Sequence, residues 1–285
     1  VSLVHAWHLR WSAFGARIAF MSSYDLQHIS VAHHLHGVVV LTINRPEKLN
    51  ACNSVLHREL SDVWPMVDAD PEAAVAVVTG AGRAFSAGGD VELLDAMSSD
   101  YGTLMDQMRD DRLIVQRMLE MEKPVISAIN GVAVGAGAAV ALMADISIMA
   151  ESARITDGHV RIGVAAGDHA VLLWPLMVGM AKAKRFLLTG DFVDGAEAER
   201  MGLVSQCLPD DEVLPAAMEL AARIARGPQD AVRLTKRALN HWWRQAWPTF
   251  EHSVALEMLG FMGPDAREGI AAVREKRRPQ FGSGF

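Results

Sequence analysis

The chain has 285 residues, 51% of them hydrophobic, with a formal net charge of -7 and two cysteines. That length allows one large domain or two small ones, and the apolar fraction is ample for a buried core. The acidic balance, with no basic run except Lys276-Arg277-Arg278, argues against nucleic acid as a partner. No apolar run is long enough to span a membrane. Cys52 and Cys207 lack metal-ligand spacing, so no metal is expected, and they suit a reducing, cytoplasmic setting.

Val1 to Phe20 carries His5, His8, Arg10 and Arg17 among Trp7, Trp11 and Phe14. It reads as an N-terminal extension, residues 1–24, with a transit peptide as the alternative. Residues 29–33 and 37–44 are β-branched and bounded by turn residues, which predicts a hairpin. Asn53 is the expected N-cap of a helix to about Val67, with Leu56, Leu60, Val63 and Trp64 at helical spacing. A strand over 74–79 leads into the turn Ala87-Gly88-Gly89. Residues 91–108 are expected to be helical and Met-rich, either a lid or a surface excursion, and 111–121 form a second helix. A strand over 124–129, a buried helix over 136–143 and a strand over 145–150 follow. From about Lys182 the pattern is mostly helical, with a short strand near 203–205. Gly227-Pro228 breaks the chain before a helix carrying Trp242 and Trp243. The β–α alternation, with crossovers long enough for parallel strands, predicts an α/β fold.

Two stretches stand out. In Arg83-Ala84-Phe85-Ser86-Ala87-Gly88-Gly89-Asp90-Val91 a strand-like run ends in small residues that let the backbone approach a ligand. Pro124 to Gly131 does the same, running into Val132-Ala133-Val134-Gly135-Ala136-Gly137-Ala138-Ala139. Where such a turn opens a helix, its free N–H groups point outward. Two of them aimed at one oxygen make an oxyanion hole from backbone, while tight structural turns are the plainer alternative. Gly80-Ala81-Gly82 starts like a dinucleotide fingerprint but has Phe85 in the third glycine position, and Gly135-Ala136-Gly137 has Val140 there. A Rossmann oxidoreductase is therefore not expected.

The two turns, together with Asn44-Arg45-Pro46-Glu47-Lys48-Leu49-Asn50-Ala51, Leu188-Thr189-Gly190 and Gly202-Leu203-Val204, resemble the crotonase (enoyl-CoA hydratase/isomerase) superfamily over residues 28 to 282. The resemblance implies a crotonase-like spiral of repeated ββα units over 25–210. It also implies a helical C-terminal region over 211–285 that packs subunits into a homotrimer or hexamer. The implied substrate is an acyl-CoA, with coenzyme A entering as part of the thioester and no tightly bound cofactor. The implied oxyanion donors are the N–H groups of Gly89 and Ala136. The positions matching CoA contacts are Lys48, Leu49, Ala51, Ala87, Gly88 and Asp90.

The acid–base positions depart from that pattern. Where the family's hydratases carry two glutamates, this chain has Ala139 and His159. Alanine cannot take a proton, whereas a histidine is a competent base near neutral pH. His159 is the expected acid/base, with Asp168 assisting. Asp168 equally suits a helix N-cap, Asp157 either orients His159 or forms a turn, and His169 faces the pocket or solvent. The loop also resembles the superfamily's β-diketone hydrolases, which cleave carbon–carbon bonds with a histidine and an aspartate. Three functions therefore stand: a CoA-thioester hydratase or isomerase, a β-diketone hydrolase, and a non-catalytic acyl-CoA binder.

Overall fold

The β-branched runs form two sheets in the computed structural model, which describes residues 24–282. The expected N-terminal extension lies almost wholly outside the described residues. β1 (Ile29–His34) and β2 (Val38–Ile43) make the antiparallel hairpin. Helix α1 (Ser54–Ala69) follows, capped by Asn53, whose side chain accepts from the Leu56 N–H at 2.9 Å.

A strand–strand–helix unit then repeats. β3 (Val75–Gly80) and β4 (Ala84–Ser86) lead to α2 (Val91–Ser99) and α3 (Tyr101–Glu120). β5 (Val125–Ile129) and β6 (Val132–Val134) lead to α4 (Ala136–Met143). β7 (Ile146–Ala150) and β8 (Arg154–Thr156) lead through a short 3₁₀ turn, His159–Ile162, to α5 (Ala170–Val178). The first strand of each unit enters a six-stranded sheet ordered β1-β2-β3-β5-β7-β10, where β10 is Gln206–Leu208. The second enters a four-stranded sheet, β4-β6-β8-β9, where β9 is Val193–Asp194. β3, β5 and β7 are parallel neighbours, with Thr79 opposite Ala128 and Ala128 opposite Ile148. Such strands are covered on both faces and so read as continuous apolar runs.

Between these strands and the C-terminus run α6 (Met180–Thr189), α7 (Gly195–Met201), α8 (Val213–Ala225), α9 (Gln229–Leu239), α10 (His241–Gln245), α11 (Trp247–Phe261) and α12 (Pro264–Arg274). α8 packs across β3, β5 and β7, and α11 packs on α3 and α5. The crotonase-like architecture with a helical C-terminal region is therefore present.

Three boundaries differ from the sequence reading, each for a local reason. There is no helix break near residue 110. The break is at Asp100, whose N–H closes α2 on Ala96 O while its carboxylate accepts from the Thr103 N–H and opens α3. The last strand starts at Gln206 and not at Leu203, because the Leu203 and Val204 N–H groups both donate to Ala198 O in the C-cap of α7. The tryptophan-bearing helix divides at Asn240, whose side-chain amide donates to Leu119 O at 3.1 Å, so Trp242 and Trp243 sit on the short α10.

Candidate active site

Parallel, in-register strands end at the same edge, so the turns after β3–β4 and β5–β6 emerge side by side. Two asparagines hold them. Asn130 accepts from the Gly80 N–H at 3.1 Å and donates to Gly80 O at 2.9 Å. Buried Asn50 donates to Ala81 O and Ala84 O at 2.9 and 2.8 Å. A Cβ on Gly131 would run into Arg83 O and lie 2.9 Å from Ala84 Cα, so no side chain fits where the two turns stack. The Cys52 N–H donates to Gly88 O and the Asp90 N–H to Cys52 O, which fixes the backbone on both sides of Gly89.

Neither the Gly89 N–H nor the Ala136 N–H, the latter at the start of α4, is bonded to another group among the described residues. Gly135, at φ +49, turns the chain into α4 and donates its own N–H to Asp157 O at 3.2 Å. A Cβ placed on Gly135 would stand 4.0 Å from Gly88 Cα and 3.9 Å from His159 Cε1. Both turns and the His159 ring therefore meet at one point.

That point lies in a cavity of about 800 Å³. Of the residues singled out from the sequence, Ala87, Gly88, Gly89, Ala136, Asp157, His159 and Asp168 line it. Lys48, Leu49, Ala51 and Asp90 are not among its lining residues. Asp90 caps α2 through the Glu92 N–H and pairs with Arg45 at 3.3 Å. Ala139 is buried in α4 and also stays out of the lining. Asp168 caps no helix: α5 starts at Ala170 with His169 in the cap position, and Asp168 instead meets His169 Nδ1 at 2.5 Å. His169 is fully buried, so it faces neither solvent nor the cavity.

The polar floor is richer than expected. His159 Nδ1 lies 3.1 Å from Asp157 Oδ1 and 3.9 Å from Asp168 Oδ1, and its Nε2 lies 3.4 Å from Glu257 Oε1. In the same cavity, His57 Nε2 meets Asp111 Oδ1 at 2.7 Å, with Gln107 one turn earlier on α3. Burial resists charging His159, but Asp157, Glu257 and Asp168 outweigh it and raise its pKa well above 6.5. Burial also pushes Glu257 well above 4.5, an effect that His159 opposes and the Asp168, Asp111 and Asp157 carboxylates reinforce. At Asp168 burial is again opposed, here by the His169 and His159 rings, which hold the carboxyl far below its usual range. At His57 the Asp111 carboxylate overcomes burial and raises the pKa. The cluster thus favours the protonated forms of His159 and Glu257 and the ionised form of Asp168. His159, Asp168 and Glu257 place one ligand atom each within 4.8 Å of one another, as do Asp157, Asp168 and His169, so both sets could take a divalent cation.

His57, Gln107, Asp111 and Glu257 escaped the sequence reading. Their only signal was a polar residue at a buried helical position. Glu257 lies in the stripe Phe250, Ser253, Val254, Glu257, Met258 and Phe261 of α11. Gly167 makes room for it: a Cβ there would lie 2.5 Å from Glu257 Cβ and 2.6 Å from its Oε2.

Residues 34–284 match the family model described as Enoyl-CoA hydratase/isomerase. The chain is 34% identical over 253 residues to a probable enoyl-CoA hydratase of Mycobacterium tuberculosis, covering 86% of this chain and 94% of that one. It is 33% identical over 259 residues to the 1,2-epoxyphenylacetyl-CoA isomerase of Escherichia coli, covering 88% and 97%. Among solved structures, an enoyl-CoA hydratase/isomerase from Mycobacterium paratuberculosis superposes with a TM-score of 0.83 at 37% identity, covering 87% of this chain and 99% of that one.

Proposed function

The chain belongs to the enoyl-CoA hydratase/isomerase family, within the crotonase superfamily, and we propose that it moves protons beside the carbonyl of an acyl-CoA thioester with His159 as its acid/base. The observation that supports this reading is that Gly89 and Ala136, each with an uncommitted backbone N–H, line one cavity with His159, whose ring stands near Gly135. In hydration, water oxygen bonds to the β-carbon, and the double-bond electrons move onto the thioester oxygen. The two N–H groups stabilise that enolate, and one such donor is typically worth about 10²–10³ in rate. A proton leaves the water and another arrives at the α-carbon.

The two glutamates expected of a hydratase are replaced by a pair from distant parts of the chain. His159 Nε2 and Glu257 Oε1 face each other at 3.4 Å, and each group is pushed toward its protonated form. The loaded pair supplies the proton to the α-carbon, and His159, once neutral, takes one from water or from the γ-carbon in a double-bond shift. Asp157, fixed by its contact to Nδ1, sets the ring orientation. Asp168 keeps a negative charge close by, which favours the imidazolium. Coenzyme A enters with the substrate. Exposed Leu234, Leu239, Trp242 and Leu259 on the C-terminal helices support assembly into a homotrimer or hexamer, to be tested by the mass in solution.

The deciding experiment is hydration of crotonyl-CoA, followed as loss of enoyl absorbance, in the wild type and in His159→Ala. Turnover that falls by about 10²–10⁴ in the variant is expected, the usual scale for general acid–base catalysis. Equal rates in both proteins would remove His159 from the chemistry. A second reading is favoured by Ala139 and by the carboxylates that flank His159: hydrolysis of a β-diketone by a histidine-activated water, with the same N–H groups holding the departing enolate. Cleavage of a diketone without CoA, alongside inertness toward the thioester, would select it.

A further inference from the structure

Among the described residues, His57 Nδ1, Gln107 Nε2 and Glu257 Oε2 are buried side-chain atoms without a hydrogen-bond partner, and all three residues line the same cavity. Gln107 is 4% exposed, His57 4% and Glu257 2%, so the imbalance is not relieved by open solvent. A buried polar atom left unpaired is destabilising, and native sites rarely keep several together unless something else satisfies them. Glu257 belongs to the His159 pair already described. Gln107 and His57 do not touch that pair. They stand on α3 and α1, and Asp111 links them, one turn beyond Gln107 and 2.7 Å from His57 Nε2.

We propose that the acyl group of the substrate carries a neutral oxygen function, a hydroxyl or a ketone, beyond the thioester, received by Gln107 and the His57–Asp111 pair. This rests on the acyl-CoA reading above and specifies its substrate class. The chemistry of the wall selects the class. Gln107 Nε2 can only donate, so it requires an acceptor oxygen on the ligand. His57 spends Nε2 on Asp111, which leaves Nδ1 as its unpaired atom. The Asp111 carboxylate can accept from a hydroxyl. Beside this wall an anionic tail is disfavoured by the Asp111 carboxylate; of the arginines that also line the cavity, Arg277 pairs with Glu268 and Glu275 and Arg161 lies over the Phe192 ring. A plain alkyl tail is disfavoured for the opposite reason, because it would seal the Gln107 and His57 atoms away with nothing to bond. Sites built to bond a substrate oxygen reject the analogue that lacks it far more strongly than apolar pockets reject an added group.

The wall is also well braced. Outside the cavity the same two helices are joined again by Arg58 and Asp110 at 3.4 Å. Apolar residues complete the enclosure: Leu93, Leu94 and Met97 from α2, and Phe261 from α11. The polar wall and these apolar residues thus lie in one cavity, and a few placed polar groups beside apolar ones fix orientation and specificity in small-molecule sites.

The test compares a hexenoyl-CoA with the same thioester bearing a hydroxyl or a ketone near the far end of its chain, in wild type, Gln107→Leu and His57→Phe. Binding of each thioester is measured by calorimetry, and folding of each variant by its melting curve. Wild type is expected to prefer an oxygenated thioester by at least about tenfold in kcat/KM, and Gln107→Leu to cut that ratio by about tenfold, the scale of one lost hydrogen bond. Equal kcat/KM for all three thioesters in the wild type, or a ratio unchanged in a folded Gln107→Leu, would overturn the proposal. Failure of every thioester to bind would be a different result: it would sink the acyl-CoA reading itself and this inference with it.

Discussion

The two sides of the cavity are built in different ways. The backbone side comes from two adjacent turns, each following its own strand within a few residues and held by Asn50, Asn130 and close-packed glycines. The titratable side is assembled from residues 57, 111, 157, 159, 168 and 257, spread over two thirds of the chain and meeting only because α1, α3, α11 and the loop before α5 pack together. The first side is local geometry repeated twice. The second is a product of packing, and its groups are tuned by one another's charges.

The sharpest test of the backbone side removes one donor without removing a side chain. Ala136→Pro deletes the N–H at the first position of α4, where proline is well tolerated, and Gly135 before it accepts the added restriction. Turnover is expected to fall by about 10²–10³, with an unchanged circular dichroism spectrum and retained thioester binding. A variant as active as wild type would show that the Ala136 N–H does not hold the reacting oxygen.

The corresponding test of the assembled side goes through packing. Gly167→Ala adds a methyl group against Ser253 O, Glu257 Cβ and Glu257 Oε2. Backbone cannot yield there as a flexible side chain would, so a loss of about 1–3 kcal/mol in unfolding free energy is expected. Activity should drop alongside it as α11 and Glu257 shift. Chemical denaturation and a single-turnover assay read the two effects. Lost stability with full activity would mean that Glu257 does not serve the chemistry.

The smallest effect is a pH dependence of stability. His159 and Glu257 hold protons in the folded state that the unfolded chain, with values of 6.5 and 4.5, releases sooner. Their proton-linked stabilisation is complete below those unfolded values and is lost as pH rises through the raised folded ones. The melting temperature should therefore decline on the alkaline side of neutrality. Glu257→Gln, which cannot ionise, should flatten that decline. Asp168 acts in the other direction: its contribution is present above the ordinary carboxylate range and disappears only in strong acid. A melting temperature that climbs as pH rises above about 6.5, the unperturbed histidine value, would contradict the proton-loaded cluster.

Much of this molecule could be read before any coordinates. The hairpin, the Asn53 cap, the buried strands and helix 136–143 follow from alternation, β-branching and capping, all of which act over a few residues. That Gly89, Ala136 and His159 share one cavity was legible because strand, turn and helix start are contiguous in the chain. The break at Asp100 was missed because a double cap competes with an unbroken helical period, and the start of β10 because the C-cap of α7 uses Leu203 and Val204 first. Asp168 looked like a cap and is instead held against His169.

What only the tertiary structure decided is which titratable residues share the cavity. Nothing near Ala139 shows that a buried carboxyl beside His159 arrives from residue 257, or that His57 and Gln107 bring unpaired polar atoms to the same cavity. Local sequence determines backbone geometry because torsion angles, caps and side-chain periodicity act between neighbours in the chain. The acid–base groups depend on distances across the fold and on the loss of solvent around them, and both exist only once the helices have packed.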